Sequence, residues 1–127
     1  MEFPQINRKL TGRPNRYGYS LVVGTVGEGD NKRESINGVM KYDLQTGDSQ
    51  KLGTGERYLP AEPFFVAAAN ATNEDDGYVL CYVYDAHNNN TSLWVLDGHD
   101  ITNVLAKVEL RARVPQGFHG LWKDLLD

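Results

Sequence analysis

The chain has 127 residues, enough for one domain or part of one, and its net charge of −4 includes no basic run, which argues against a nucleic-acid partner. No apolar stretch reaches the roughly 20 residues that cross a bilayer, and the N-terminal residues lack the pattern of a signal peptide. Cys81 is the single cysteine, so an internal disulfide is excluded and a reducing, cytoplasmic compartment is expected.

The first half of the sequence predicts three strands. β-branched and aromatic side chains dominate residues 17–26, which are therefore expected to be extended. A second strand is expected at 39–44 and a short one at 49–52. Gly47 lies in the turn between them and supplies the positive φ that a tight reversal needs. The last two strands are therefore predicted to form a hairpin.

The second half predicts four more strands. Residues 62–68 form the first, and a polar break separates it from 78–84, which is apolar on both faces and is expected inside a layered sheet. Strands follow at 92–96 and at 106–110, of which the latter has one charged face. Helix is nearly absent, because only 121–126 has helical character and that segment is too short to be stable alone.

Two segments of the chain resemble each other. Asp43 and Asp97, 54 positions apart, each end an apolar strand and precede a turn and a further strand. A spacing of about 50 residues with several short strands per unit is typical of a propeller blade. On this pattern residues 62–110 form one complete four-stranded blade, and 17–52 form most of the blade before it.

Five more specific motifs follow one another in the second half of the chain. They are Glu-Pro-Phe-Phe-Val at 62–66, Glu-Asp-Asp-Gly-Tyr-Val-Leu at 74–80, Val-Tyr-Asp at 83–85, Leu-Trp-Val-Leu-Asp at 93–97 and Val-Pro-Gln-Gly-Phe-His-Gly-Leu-Trp at 114–122. In order and spacing they resemble the C-terminal portion of the carotenoid cleavage oxygenases. That family includes lignostilbene dioxygenases, apocarotenoid oxygenases and the retinal pigment epithelium isomerohydrolase. Residues 2–4 and 16–19 resemble the start of the preceding blade.

The resemblance implies an all-β fold, about the last two blades of a seven-bladed β-propeller with mostly antiparallel strands. Residues 1–53 would form most of the penultimate blade, and 62–122 the last blade and an iron-ligand tail. In that family four histidines from different blades hold Fe(II). O2 and an apolar carotenoid, apocarotenoid or stilbene-like alkene meet on its open side, and a carbon–carbon double bond is cleaved into two carbonyl products.

The resemblance also assigns roles to individual residues. His119, in the Phe-His-Gly motif, corresponds to the last of the four iron ligands, and neutral imidazole suits Fe(II). Glu62 corresponds to a glutamate that accepts the far N–H of a ligand imidazole and thereby fixes its tautomer. Which imidazole Glu62 supports is left open. Phe118 and Trp122 are candidates for the wall of a pocket beside the metal.

The histidine count sets this chain apart from the complete enzymes. It has three histidines, and His87 and His99 lie in polar turns where solvated loop residues are expected rather than iron ligands. With one ligand of four, the chain alone is expected neither to hold iron as those enzymes do nor to be active. Whether it is itself an enzyme is left open.

Three functional hypotheses follow. The first is a C-terminal fragment of an iron-dependent dioxygenase, the second a non-catalytic propeller remnant that acts as a β-rich interaction module, and the third an unrelated kelch-like fragment. In an unclosed propeller the exposed strand edges predict a homo-oligomer. The turn at 74–77 also invites a calcium hypothesis, but it lacks the alternating oxygen ligands of a calcium loop and is expected to be a solvated turn.

Overall fold

The computed structural model describes residues 1–117 and 119–125. Short 3-10 helices occur at Arg8–Leu10 and Gly29–Asn31. In the described part nine strands form: β1 Glu2–Gln5, β2 Tyr17–Val26, β3 Arg33–Asp43, β4 Ser49–Gly53, β5 Tyr58–Pro60, β6 Phe64–Ala67, β7 Gly77–Asp85, β8 Asn90–Asp97 and β9 Val104–Glu109.

The strands form two antiparallel sheets in which chain order and spatial order agree. Sheet A has the order β1-β2-β3-β4, and sheet B the order β5-β7-β8-β9, with β6 also paired to β7. The predicted all-β, antiparallel fold is thereby confirmed. Asp43 ends the third strand of sheet A and Asp97 the matching strand of sheet B, and each carboxylate accepts a backbone N–H of the following turn. The two segments that resemble each other in sequence therefore occupy equivalent places in the two sheets.

Two strands were not predicted, and a third begins well before its predicted start. β1 was not predicted, because its four residues include Pro4 and show no apolar period, and pairing with β2 holds it in place. β5 was missed because it is three residues long. β3 begins at Arg33 rather than at 39, because the long strand β2 pairs with its polar first half as far as Val26. In each case a tertiary partner, rather than local propensity, makes the backbone extended.

The core lies where the two sheets meet. The ring of Tyr19 in sheet A stacks on that of Phe65 in sheet B, with centroids 5.3 Å apart. Trp94 and Ile101 are also buried in this cluster. Sheet A contributes Tyr19, Leu21 and Val39, and sheet B with its loops contributes Phe65, Val79, Cys81, Val83, Trp94, Leu96 and Ile101.

The loop at 74–76 is not the solvated turn predicted, because two of its carboxylates bind sheet A. Glu74 accepts the backbone N–H groups of Arg16 at 2.8 Å and of Tyr17 at 2.8 Å. Asp75 forms a buried ion pair with Lys41, Nζ to Oδ2 2.7 Å. These partners lie 34 or more positions away in sequence, so local pattern could not reveal them. The loop thus fixes one sheet against the other.

Candidate functional site

Glu62 lies at an irregularity in the edge of sheet B. Pro60 pairs with Val83 and Phe64 with Leu80, so the three residues 61–63 lie opposite only two residues of β7. One extra residue in a strand is a β-bulge, which bends the strand and re-aims a side chain. The prolines at 60 and 63 suit this interruption, because neither has an N–H to contribute to a ladder.

The carboxylate of Glu62 is buried and fully engaged. The residue is 5% exposed. Its Oε2 accepts the backbone N–H of Gly120 at 2.8 Å, and its Oε1 accepts Nε2–H of Gln5 at 2.5 Å. Nδ1 of His119 lies 3.3 Å from the same Oε1. Three donors around one carboxylate offset the free energy that its burial costs.

The C-terminal tail reaches this carboxylate because it is tied to sheet B at two points. At the first, the N–H of Val114 donates to Oγ1 of Thr91 at 3.1 Å. At the second, Gly120 packs against the ring of Phe64, and a Cβ at this position would lie 2.5 Å from the ring's Cζ. Any larger residue would have to displace that ring, which gives the glycine of the Phe-His-Gly motif a physical reason. His119 precedes this anchor directly.

The imidazole of His119 contacts Glu62 and Phe3 on one side and is exposed to solvent on the other. Its side chain is 75% exposed. The ring of Phe3 contacts it edge-on, with centroids 5.2 Å apart and planes at 73°. Since a carboxylate oxygen accepts hydrogen bonds, the contact with Glu62 assigns the ring proton to Nδ1 and leaves Nε2 as the nitrogen that can bind a metal.

A small apolar cavity lies beneath the tail beside His119. Its volume is about 160 Å³. Aliphatic and aromatic side chains of sheet B form its floor, and Pro115 and His119 of the tail form its roof. Its wall includes Leu59, Phe64, Tyr82 and Tyr84.

Of the two predicted pocket-wall residues, the structure describes Trp122 alone. Phe118 lies outside the described residues. Trp122 lines a separate groove formed with Asn7 and Phe65, and its Nε1–H donates to Asp124 at 2.9 Å. The cavity beside His119 does not include Trp122 in its wall, although the two residues are close in sequence.

The two other histidines lie in the turns that the sequence predicted for them. His87 follows β7, and its N–H donates to Asp85 at 2.9 Å. His99 follows β8 and is exposed, but it also contacts the 74–76 loop, with Nε2 2.9 Å from Asp76 Oδ1. Neither histidine lines the cavity beside His119.

A group of possible ion ligands exists in the described part of the chain, at Asp75, Asp76 and His99, whose ligand atoms lie within 4.8 Å of one another. Its carboxylates already have partners. Asp75 Oδ2 accepts from the ammonium of Lys41 at 2.7 Å. Asp76 Oδ2 accepts the N–H groups of Thr72 and Asn73, and these bonds hold the pKa of Asp76 well below its usual range. The group therefore acts as a structural network.

Residues that sequence reasoning missed complete the site. Gln5 and Phe3 come from β1 in sheet A, 57 or more positions before Glu62 and His119. No local pattern marks a glutamine in a short strand as a partner of a distant carboxylate. Gly120 carried a signal in the motif, but its packing against Phe64 required the structure.

The fold is a pair of antiparallel sheets, and the tail that carries the histidine is anchored on a buried glutamate. Comparison with known proteins shows which family has this arrangement. The chain belongs to the retinal pigment epithelial membrane protein family, whose match covers residues 1–124. Among its relatives, the 9-cis-epoxycarotenoid dioxygenase NCED1 of Oryza sativa subsp. japonica is 38% identical over 95% of this chain and 19% of its own length. The apocarotenoid-15,15'-oxygenase of Synechocystis is 31% identical over 95% of this chain and 24% of its own.

Solved structures agree with this assignment. Cobalt-substituted Synechocystis apocarotenoid oxygenase superimposes with a TM-score of 0.84 and 30% identity, over 96% of this chain and 25% of that one. The chain therefore folds as part of a β-propeller of this family. It spans about a quarter of that solved structure. No helix in the described residues is long and apolar enough to cross a membrane.

The residues of the site fit one ligand of a metal ion rather than a complete coordination shell. An imidazole held at Nδ1 by a buried carboxylate and open elsewhere is the arrangement typical of a metal-binding histidine. A single imidazole binds a metal ion weakly, so this histidine alone does not make a complete site.

Proposed function

We propose that this chain supplies the last two blades and one iron ligand, His119, of a non-haem Fe(II) dioxygenase that cleaves carbon–carbon double bonds. Its substrates would be carotenoid, apocarotenoid or stilbene-like alkenes, with O2 as the second substrate. Residues 1–53 would form most of the penultimate blade, and 62–122 the last blade with its tail. The chain alone would be inactive.

The observation that carries this proposal is the contact between Glu62 and His119. The carboxylate binds both the imidazole and the next residue's N–H, so ring and backbone are held by the same group. A surface histidine without a function does not need a buried acid to fix its tautomer. The similarity to carotenoid and apocarotenoid oxygenases indicates the reaction.

Each residue of the site has a task in such an enzyme. His119 would present Nε2 to the iron, and Glu62 would hold the proton on Nδ1 and raise the basicity of the ring. The iron, when bound, supplies the redox chemistry by which O2 and an alkene become two carbonyl products. The apolar cavity beside the tail lies against both Glu62 and His119.

A restoration experiment tests the proposal. The chain would be co-expressed with Synechocystis apocarotenoid oxygenase that lacks the quarter this chain matches. We expect a complex that binds iron and cleaves an apocarotenoid, and a His119→Ala variant that assembles but loses both properties. His87→Ala and His99→Ala are the matched controls and should retain both. A His119→Ala complex with full iron content would contradict the proposal.

The alternative, a non-catalytic remnant that serves as an interaction module, is favoured by one feature. In the described part of the chain β9 pairs with β8 alone, and it exposes about half of Leu105 and of Val108. Such an edge pairs readily with another strand. We propose that the isolated chain forms a homo-oligomer through this edge until the missing blades are supplied.

Light scattering distinguishes these states. The chain alone should be a dimer or larger at high concentration, and a Leu105→Lys, Val108→Lys variant should be monomeric. A monomeric wild-type chain would rule out the oligomer. An oligomer that persists beside the truncated oxygenase, without complex formation, would favour the remnant.

A cytoplasmic location remains part of the proposal, supported by the lone, buried Cys81.

A further inference from the structure

Two irregular strands meet at the Glu62–His119 pair, one from each sheet. The first is the bulge at 61–63 in sheet B. The second is in β1, where Glu2 pairs with Leu21 and Gln5 with Tyr19, so that two residues lie opposite one residue of β2. Bulges occur preferentially beside active sites, where they redirect side chains.

The bulge in β1 determines where Gln5 points. Side chains alternate between the faces of a regular strand, so Glu2 and Gln5, three positions apart, would face opposite sides. The extra residue instead places Glu2 opposite Leu21 and Gln5 opposite Tyr19, and the side chains of these two partners share one face of β2. Because the ring of Tyr19 stacks on Phe65 of sheet B, this is the face toward that sheet. The Gln5 amide consequently reaches Glu62.

The bulge carries a backbone strain as well. Phe3 has a φ of +55°, a conformation that side chains with a Cβ adopt rarely. Such residues persist only where their surroundings hold them, and they cluster at functional sites. Here the strained residue places its ring edge-on against His119.

We propose that Gln5 is a positioning residue for His119 and acts through Glu62. Its Nε2–H and the Nδ1–H of His119 share Oε1, while Oε2 receives Gly120. The amide thereby fixes the rotation of the carboxylate, so that Oε1 faces the imidazole and Oε2 faces the N–H of Gly120. The penultimate blade thus controls the orientation of a ligand carried by the last blade. This inference rests on the function proposed above.

The test reads the tautomer of His119 directly, by nitrogen-15 NMR of the imidazole ring in the 127-residue chain at a pH where the ring is neutral. Wild type should show the proton on Nδ1. Gln5→Met keeps the length of the side chain and removes its donor, and it should shift the tautomer ratio toward Nε2–H by about 2- to 10-fold, the range that one net hydrogen bond supports. Gln45→Met, in an exposed turn, is the matched control and should have no effect.

Glu62→Gln separates failure of this inference from failure of the proposed function. If Glu62→Gln shifts the tautomer and a folded Gln5→Met does not, the role of Gln5 is refuted while the Glu62–His119 pair stands. If Glu62→Gln has no effect on the ring, the pair itself is refuted and the proposed function loses its main support.

A second measurement does not depend on the folding of Gln5→Met. The side-chain NH2 signals of Gln5 in the wild-type chain should move when Glu62 is replaced by Gln, whereas those of Gln45 should stay unchanged. Gln5 signals that do not move would overturn the proposal.

Discussion

The carboxylate of Asp76 holds the 74–76 loop to the residues just before it. The N–H groups of Asn73 and Thr72 and the side-chain amide of Asn73 donate to it, and they hold its pKa well below the usual range. A carboxylate with a depressed pKa in the folded state stabilises that state above its unfolded pKa of about 3.9, and this contribution is lost as the pH falls toward the folded value.

We therefore expect Asp76→Asn to be less stable than wild type at pH 7. The difference should shrink as the pH falls below about 4, because Asp76 of the unfolded wild-type chain then takes up a proton that the folded state does not bind. Urea unfolding of both proteins at several pH values measures this. A difference that stays constant across that window would show that charge at Asp76 has no part in it.

Among individual residues, the sequence predicted those that lie in a distinctive motif and missed those that do not. Glu62 and His119 were both singled out by their motifs, whereas the imidazole that Glu62 contacts was left open and is that of His119 in the structure. Gln5 could not be predicted, because its role depends on a bulge in an edge strand and on a partner 57 positions away. Trp122 was linked to a pocket by proximity in sequence, and in the structure it lines a groove with Asn7 and Phe65.

At the scale of strands and loops, the 74–76 loop connects the two sheets. Lys41, in β3, is 4% exposed and donates to Asp75 and to the carbonyls of Gly98 and His99. The ammonium also lies over the ring of Tyr17, 4.2 Å from its centroid. One buried side chain therefore joins β2, β3 and two loops of sheet B.

Removing one partner of the Lys41–Asp75 ion pair should lower the free energy of unfolding more than removing both partners. Lys41→Met leaves a buried charge on Asp75, and we expect a loss of about 3–5 kcal/mol in the free energy of unfolding. Adding Asp75→Leu should recover part of that loss, because the uncompensated charge is gone. Denaturant unfolding of the two single variants and the double variant measures the coupling. Additive losses would show that the ion pair is not what joins the sheets.

For the strands, as for single residues, local sequence pattern predicts some features and cannot predict others. β2 was predicted with its observed bounds, since residues 17–26 are rich in β-branched and aromatic side chains. The polar first half of β3 and the short strands β1 and β5 are extended only because β2 and β7 pair with them. The bulges on which the site depends belong to this second group.

The two sheets share one core, so the whole molecule is expected to unfold as one unit. Tyr19, Leu21 and Val39 of sheet A pack in the same buried cluster as Cys81 and Trp94 of sheet B. Neither sheet can separate without exposing the apolar face of the other. Two-state unfolding is the usual behaviour of single cores of this size.

Cys81 offers a direct test, because it is the chain's single cysteine and is 1% exposed. Burial raises its pKa to about 12, so the thiol should react with a labelling reagent only after sheet B opens. Amide hydrogen exchange at Leu21 and Val39 reports the opening of sheet A independently. If the sheets form one cooperative unit, the two methods give the same opening free energy. Exchange in sheet A at a markedly lower free energy would mean that sheet A opens alone, and that the strand bearing Gln5 can leave Glu62 while His119 stays in place.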